Sequence, residues 1–212
     1  LTVRHPELRN AFDPAIFAAG MEALSVAERS DEVRSVVITG ADGGFSAGAD
    51  LQRLLAGNHE GAQAQAQAVE SLHNWIETIR TYPKPVIAAV EGTAAGAGFS
   101  LALACDLIVA ARNASFVMAY SQIGLSPDGG VTWSLGRALP RQLASEILLC
   151  GERMEPARLH ALGLVNRVVE PGQALQEAMA LAQTLNERAP NALDSIKELL
   201  SEAPHNTLTA QL

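Results

Sequence analysis

The sequence predicts an α/β fold: a mostly parallel β-sheet with helices on its faces, followed by a helical C-terminal region. Three observations carry this prediction. Val36 to Thr39, Val86 to Val90 and Leu107 to Ala111 are short, almost wholly apolar runs, the pattern of strands buried on both faces. Stretches of helical period lie between them, and strands joined through helices pair in parallel. The last third of the chain reads as all-helical, which points to a helical appendage or an oligomer interface.

Leu1 to Val3 reads as the tail of a strand, and a loop follows through Pro6 to Asn10. Asp13 is an N-cap with Pro14 in the first turn. The helix it opens runs to about Arg29, with Ile16, Phe17, Met21 and Leu24 on one face. Arg34 to Thr39 is a buried strand, and a loop of Gly, Ala and Ser leads on to about Asp50. Ala62 to Ile79 has helical spacing, with an Ala- and Gln-rich start that suggests mobility from Leu54 to about Ala68. Lys84 to Val90 is a strand with proline near its start. The loop Gly92 to Gly98 opens an apolar helix from about Phe99 to Cys105. Leu107 to Ala111 and Phe116 to Met118 are further strands. After the turn Ser126 to Gly130, helices are expected at 131–138, 141–149, 156–162, 173–188 and 191–201. The chain opens in a strand already under way and stops without a helix stop signal, so residues are expected before Leu1 and after Leu212.

The formal net charge of −8 argues against nucleic acid as the main partner, since phosphate backbones need clustered Lys and Arg. No apolar run approaches the roughly 20 residues that span a bilayer, and without a basic, then apolar, then small-residue start no signal peptide is expected. Cys105 and Cys150 lie in apolar runs and read as buried free thiols in a reducing compartment, with the cytoplasm as the expected location. The five histidines are scattered without a short-spaced partner, so no metal site is expected.

Two segments share one design: a buried strand, a loop of very small residues, then a helix start. One runs into Phe45-Ser46-Ala47-Gly48-Ala49-Asp50, the other into Gly92 through Gly98. Small side chains let backbone N–H groups approach a ligand closely. The first N–H groups of a helix lack internal partners and favour negative charge. Two of them converging on one oxygen form an oxyanion hole. Close helix–sheet packing is the competing explanation for the small residues. A dinucleotide loop competes for Gly40 to Ser46, but position 46 is Ser where that motif needs Gly. Neither Tyr120 nor Tyr82 has the Lys four residues on that such dehydrogenases carry.

The order of motifs resembles the crotonase superfamily, also called the enoyl-CoA hydratase/isomerase family. It runs through Arg9-Asn10-Ala11, Phe45 to Leu51, Lys84 to Gly92, Gly96 to Asp106, Gly124 to Gly130 and Ala161 to Asn166. The resemblance implies repeated β-β-α units over residues 1–140. It also implies a helical region over 141–212 that makes a homotrimer or a dimer of trimers. Its substrate would be an acyl-CoA, with coenzyme A part of the substrate and no tightly bound cofactor. The two oxyanion N–H groups fall on Ala49 and Ala97. Arg9, Ala11, Ala47, Asp50 and Leu51 would line the coenzyme A channel, although Asp50 fits a helix cap equally well. Ala95, Gly96, Ser100, Tyr120, Pro127 and Trp133 would surround the acyl group.

Family hydratases place water with two glutamates, and the matching positions here are Ser100 and Tyr120. Neither can act as a carboxylate base. Asp128, in Ser126-Pro127-Asp128-Gly129-Gly130, matches the acid of isomerase-type members. As an ordinary residue it would be a turn former or N-cap. The expected reaction is a double-bond shift, or isomerisation of a ring epoxide, by a single acid/base. Hydration, hydrolysis, dehalogenation with Asp128 as nucleophile, and a degenerate thioester-binding member are the alternatives.

Overall fold

The computed structural model describes residues 1–50 and 62–212. Strand β1 (Thr2–Val3) and helix α1 (Pro14–Arg29) lead to β2 (Val36–Gly40) and α2 (Ala62–Arg80). Then come β3 (Val86–Val90), β4 (Thr93–Ala95), α3 (Ala97–Ala104), β5 (Leu107–Ala111) and β6 (Ser115–Val117). A 3₁₀ turn (Ala119–Ile123) leads to α4 (Val131–Ala138), α5 (Arg141–Cys150), β7 (Arg153–Met154) and α6 (Pro156–Ala161). The chain continues through β8 (Arg167–Val169), α7 (Ala174–Asn186), α8 (Pro190–Glu202) and α9 (Leu208–Gln211).

Two sheets result. The larger has the order β1-β2-β3-β5-β8 and is parallel throughout. The smaller has the order β4-β6-β7, with β4 and β6 parallel and β7 antiparallel to β6. Each of the pairs β3–β4 and β5–β6 therefore gives one strand to each sheet before the chain turns helical, which is the β-β-α repeat expected.

The uniformly apolar strands are explained by what covers them. All five residues of β3 are fully buried. Val86, Ala88 and Val90 face the main core with Trp75, Ile79 and Phe99. Ile87 and Ala89 face the other way, with Val109, onto Ala174, Ala178, Leu181 and Ala182 of α7. Burying each Val or Ile side chain stabilises the fold by about 1.5–3 kcal/mol. The α1 cap is as expected, with Asp13 Oδ1 accepting from the Ile16 N–H at 2.8 Å.

Several expectations are corrected. Arg34 and Ser35 precede β2 rather than forming its start. The fourth expected strand sits one residue earlier, at Ser115–Val117. The last third is not all-helical, because β7 and β8 lie within it. These strands are two and three residues long and arginine-led, so they offer no apolar run to read. β4 was hidden by its small residues. Cys105 is buried, but Cys150 is exposed at the last position of α5. The expected mobile segment lies mostly in residues 51–61, outside the described residues, and Ala62 already belongs to α2.

Candidate functional site

The two small-residue loops lie against each other. Ser46 N–H donates to Thr93 O and Ala95 N–H donates to Ser46 O, both at 2.9 Å. Gly48 has φ +84°, and a Cβ there would lie 2.5 Å from Ala95 O and 3.1 Å from the Ala97 nitrogen. Only glycine permits so close an approach. Ala49, beside Gly48, makes a parallel bridge with Phe12. Ala97 opens α3 behind Gly96, whose φ of 50° and ψ of −120° are glycine geometry. As the first residue of a helix, Ala97 presents an N–H without an intrahelical acceptor, at the positive end of the helix dipole.

A third segment braces the first loop. Arg9 and Asn10 both have positive φ. Arg9 O accepts from Ala47 N–H at 3.0 Å, and the Arg9 side chain is exposed. Ala11 is buried, while Ala47 and Asp50 are half-buried. Two supporting residues were not picked out from sequence. Asn10 is 2% exposed, and its side chain donates to Ala41 O at 2.8 Å and Gly44 O at 2.9 Å. Ser46 Oγ donates to Asn10 O at 2.7 Å and accepts from Gly48 N–H at 3.0 Å. An asparagine in a loop, the residue type that after glycine most readily takes a left-handed backbone, was the available signal.

Asp128 approaches the second loop. Its Oδ1 accepts from the Tyr120 hydroxyl at 2.5 Å, and its carbonyl accepts from Ser100 Oγ at 3.2 Å. Tyr120 packs beneath Gly96, where a Cβ would meet the phenolic oxygen at 3.3 Å. Ser100 is buried on α3, and its Oγ lies 3.4 Å from Gly96 O. Burial pushes the Tyr120 phenol well above its ordinary range, and the neighbouring Asp128 carboxylate adds to this. Tyr120 is thus a neutral donor at physiological pH. Pro127 is half-buried beside Asp128. Gly129 packs on Ser100 and Leu72.

The structure brings together Ala47, Ala49, Ala95, Gly96, Ala97, Ser100, Tyr120 and Asp128. Trp133 stands apart from these contacts: it is 40% exposed and flanked by the guanidinium groups of Arg137 at 4.2 Å and Arg80 at 5.1 Å. Leu51 lies outside the described residues. A groove of about 460 Å³ elsewhere, lined by Val3, His5, Ile16 and Trp75 among others, includes none of the site residues. Among the described residues no group of three or more His, Cys, Asp or Glu could hold a metal.

Comparison with known proteins bears on the family and the fold. The family model described as enoyl-CoA hydratase/isomerase matches residues 1–212. A 1,2-epoxyphenylacetyl-CoA isomerase of Escherichia coli is 38% identical over 213 aligned positions, covering 100% of this chain and 81% of that protein. A carnitinyl-CoA dehydratase of Salmonella typhi is 38% identical over 202, covering 94% of this chain and 75% of that protein. The crystal structure of an enoyl-CoA hydratase from Polaromonas sp. JS666 superimposes with a TM-score of 0.97 at 64% identity, covering 99% of this chain and 82% of that one. The relatives' names span isomerase, dehydratase and hydratase, so they leave the reaction open. With its β-β-α repeats, its paired small-residue loops and a family match along its whole length, the chain belongs to the enoyl-CoA hydratase/isomerase family, the crotonase superfamily.

Proposed function

We propose that the protein is an acyl-CoA isomerase in which Asp128 moves a proton while the Ala49 and Ala97 N–H groups hold the thioester oxygen. The observation that carries this reading is the Asp128 carboxylate fixed beside the Gly96–Ala97 loop through Tyr120. With a 3-enoyl thioester, Asp128 takes a proton from the carbon next to the carbonyl. The C–H electrons form a dienolate whose negative charge lies on the thioester oxygen, where two backbone donors stabilise it. The protonated Asp128 returns the proton two carbons further along, which leaves a 2-enoyl thioester and regenerates the carboxylate. One acid/base suffices. Water addition by the paired-glutamate route is not available, because those positions hold Ser100 and Tyr120. Coenzyme A would lie along Arg9, Ala11, Ala47 and Asp50, with the acyl group toward Ala95, Ser100 and Pro127.

A second reading, ring isomerisation of an epoxide thioester at the same Asp128, is favoured by the name of the Escherichia coli relative. Both readings are tested by assaying wild type and Asp128→Asn on a linear 3-enoyl-CoA and on a ring-epoxide phenylacetyl-CoA. Asp128→Asn is expected to lower kcat by about 10²–10⁴-fold on the true substrate, the range for general acid–base groups. Full activity in Asp128→Asn would overturn the assignment.

We further propose a homotrimer or dimer of trimers built through residues 141–212, in the cytoplasm, where an exposed thiol such as Cys150 stays reduced. No helix among the described residues is long and apolar enough to cross a membrane.

A further inference from the structure

We infer that Tyr120 and Ser100 are positioning residues that clamp Asp128 onto the loop presenting the Ala97 N–H. This inference rests on the reading of Asp128 as the acid/base.

Four contacts support it. The Tyr120 hydroxyl donates to Asp128 Oδ1 at 2.5 Å, which fixes the rotation of the carboxylate. Ser100 Oγ donates to the Asp128 carbonyl at 3.2 Å, which fixes the main chain. Both hydroxyl groups sit on Gly96: Ser100 Oγ is 3.4 Å from its carbonyl oxygen, and Tyr120 packs under its α-carbon. The acid and the second oxyanion donor are therefore referenced to one residue.

Asp128 needs such a clamp. It lies in a turn followed by Gly129 at φ +58° and Gly130 at φ +70° and preceded by an exposed stretch from Ser121 to Ser126. A carboxylate on such a segment would sample many rotamers, and proton transfer needs a fixed geometry. Holding Oδ1 leaves Oδ2 for the substrate, and among the described residues Oδ2 has no hydrogen-bond donor. The two positions without a glutamate thus serve the acid that remains. Gly129 completes the fit, since a Cβ there would lie 2.7 Å from the Ser100 Cβ.

The test uses Tyr120→Phe and Ser100→Ala in the full chain, assayed on whichever substrate wild type turns over. Tyr120→Phe keeps the ring and is expected to lower kcat about 10- to 100-fold with KM within about threefold, because the lost contact shapes the transition state rather than ground-state binding. Ser100→Ala should lower kcat less, in the same pattern. A Tyr120→Phe enzyme with kcat within about twofold of wild type overturns the inference, and so does a loss confined to KM.

A second measurement does not need turnover. The chain holds two tyrosines, so 3-fluorotyrosine labelling gives two fluorine resonances. Asp128→Asn should move the resonance that Tyr120→Phe removes and leave that of Tyr82, which donates to Leu24 O. If the Tyr120 resonance does not move, the clamp does not exist. An active Asp128→Asn enzyme would sink the isomerase reading while the resonances still report on the contact. An inactive Asp128→Asn beside an unslowed Tyr120→Phe would sink the clamp alone.

Discussion

At the residue scale, the site depends on which glycines touch something. Gly48 and Gly124 both have positive φ, +84° and +72°. A Cβ at Gly124 meets nothing within 4 Å, whereas one at Gly48 meets the Ala95 carbonyl at 2.5 Å and the Ala97 nitrogen at 3.1 Å. Gly124→Ala is therefore expected to lower stability by about 1 kcal/mol, the backbone cost alone, with kcat/KM unchanged. Gly48→Ala carries that cost and also forces the two loops apart, so kcat/KM should fall at least about tenfold, as expected when an oxyanion donor is misplaced. Equal activities at matched folded fraction would refute the pairing of these loops. The sequence showed Ala49 and Ala97 as candidates because loop composition and motif order are local properties. It could not show the bond between Tyr120 and Asp128, because eight residues and the left-handed turn at Gly124 separate them. Nor did it show the role of Asn10, whose partners Ala41 and Gly44 lie across the chain.

At the element scale, strongly periodic segments were legible and short ones were not. α1 announced itself with a cap, a proline and an apolar face, and β3 with five apolar residues. β7 and β8 exist because β6 and β5 offer free edges to pair with, a tertiary cause that two or three residues cannot encode. Trp133 reads as a pocket residue, yet α4 turns it toward Arg80 and Arg137. Helix α8 has no buried residue, although Lys197 binds Asp106 Oδ2 at 2.6 Å and Lys84 O at 3.0 Å. Its apolar residues Ile196, Leu199 and Leu200 are exposed, as is Leu208 of α9. Such faces ordinarily pack against something. If α8 and α9 join copies of the chain, sedimentation will show wild type at three or six times the chain mass and Ile196→Glu/Leu200→Glu as a monomer. A monomeric wild type would exclude this interface.

At the scale of the whole molecule, the fold class was legible, because apolar strands between helices admit few arrangements. The division of β3–β4 and β5–β6 between two sheets was not, since it depends on packing around a shared core. That core holds titratable groups whose protons report on global folding. Burial, with Glu28 nearby, raises the Tyr82 phenol from 10.0 to about 12. Burial raises Tyr120 and, with Asp106 adding to it, the Cys105 thiol above their ordinary ranges. Between pH 9 and pH 12 the unfolded chain releases these protons and the folded chain keeps them. The folded state then binds more protons, so stability is fully present below this range and falls as pH rises through it. Each retained proton steepens the fall by about 1.4 kcal/mol per pH unit, so Tyr82 alone removes roughly 2 to 3 kcal/mol by its folded value. Urea unfolding at pH 8, 10 and 11 should show stability dropping, with Tyr82→Phe giving a shallower slope by about one proton. A flat profile over this range would mean that the core admits hydroxide or water to these groups before the chain unfolds globally, and the fold would then be looser around Tyr82 than its 2% exposure indicates.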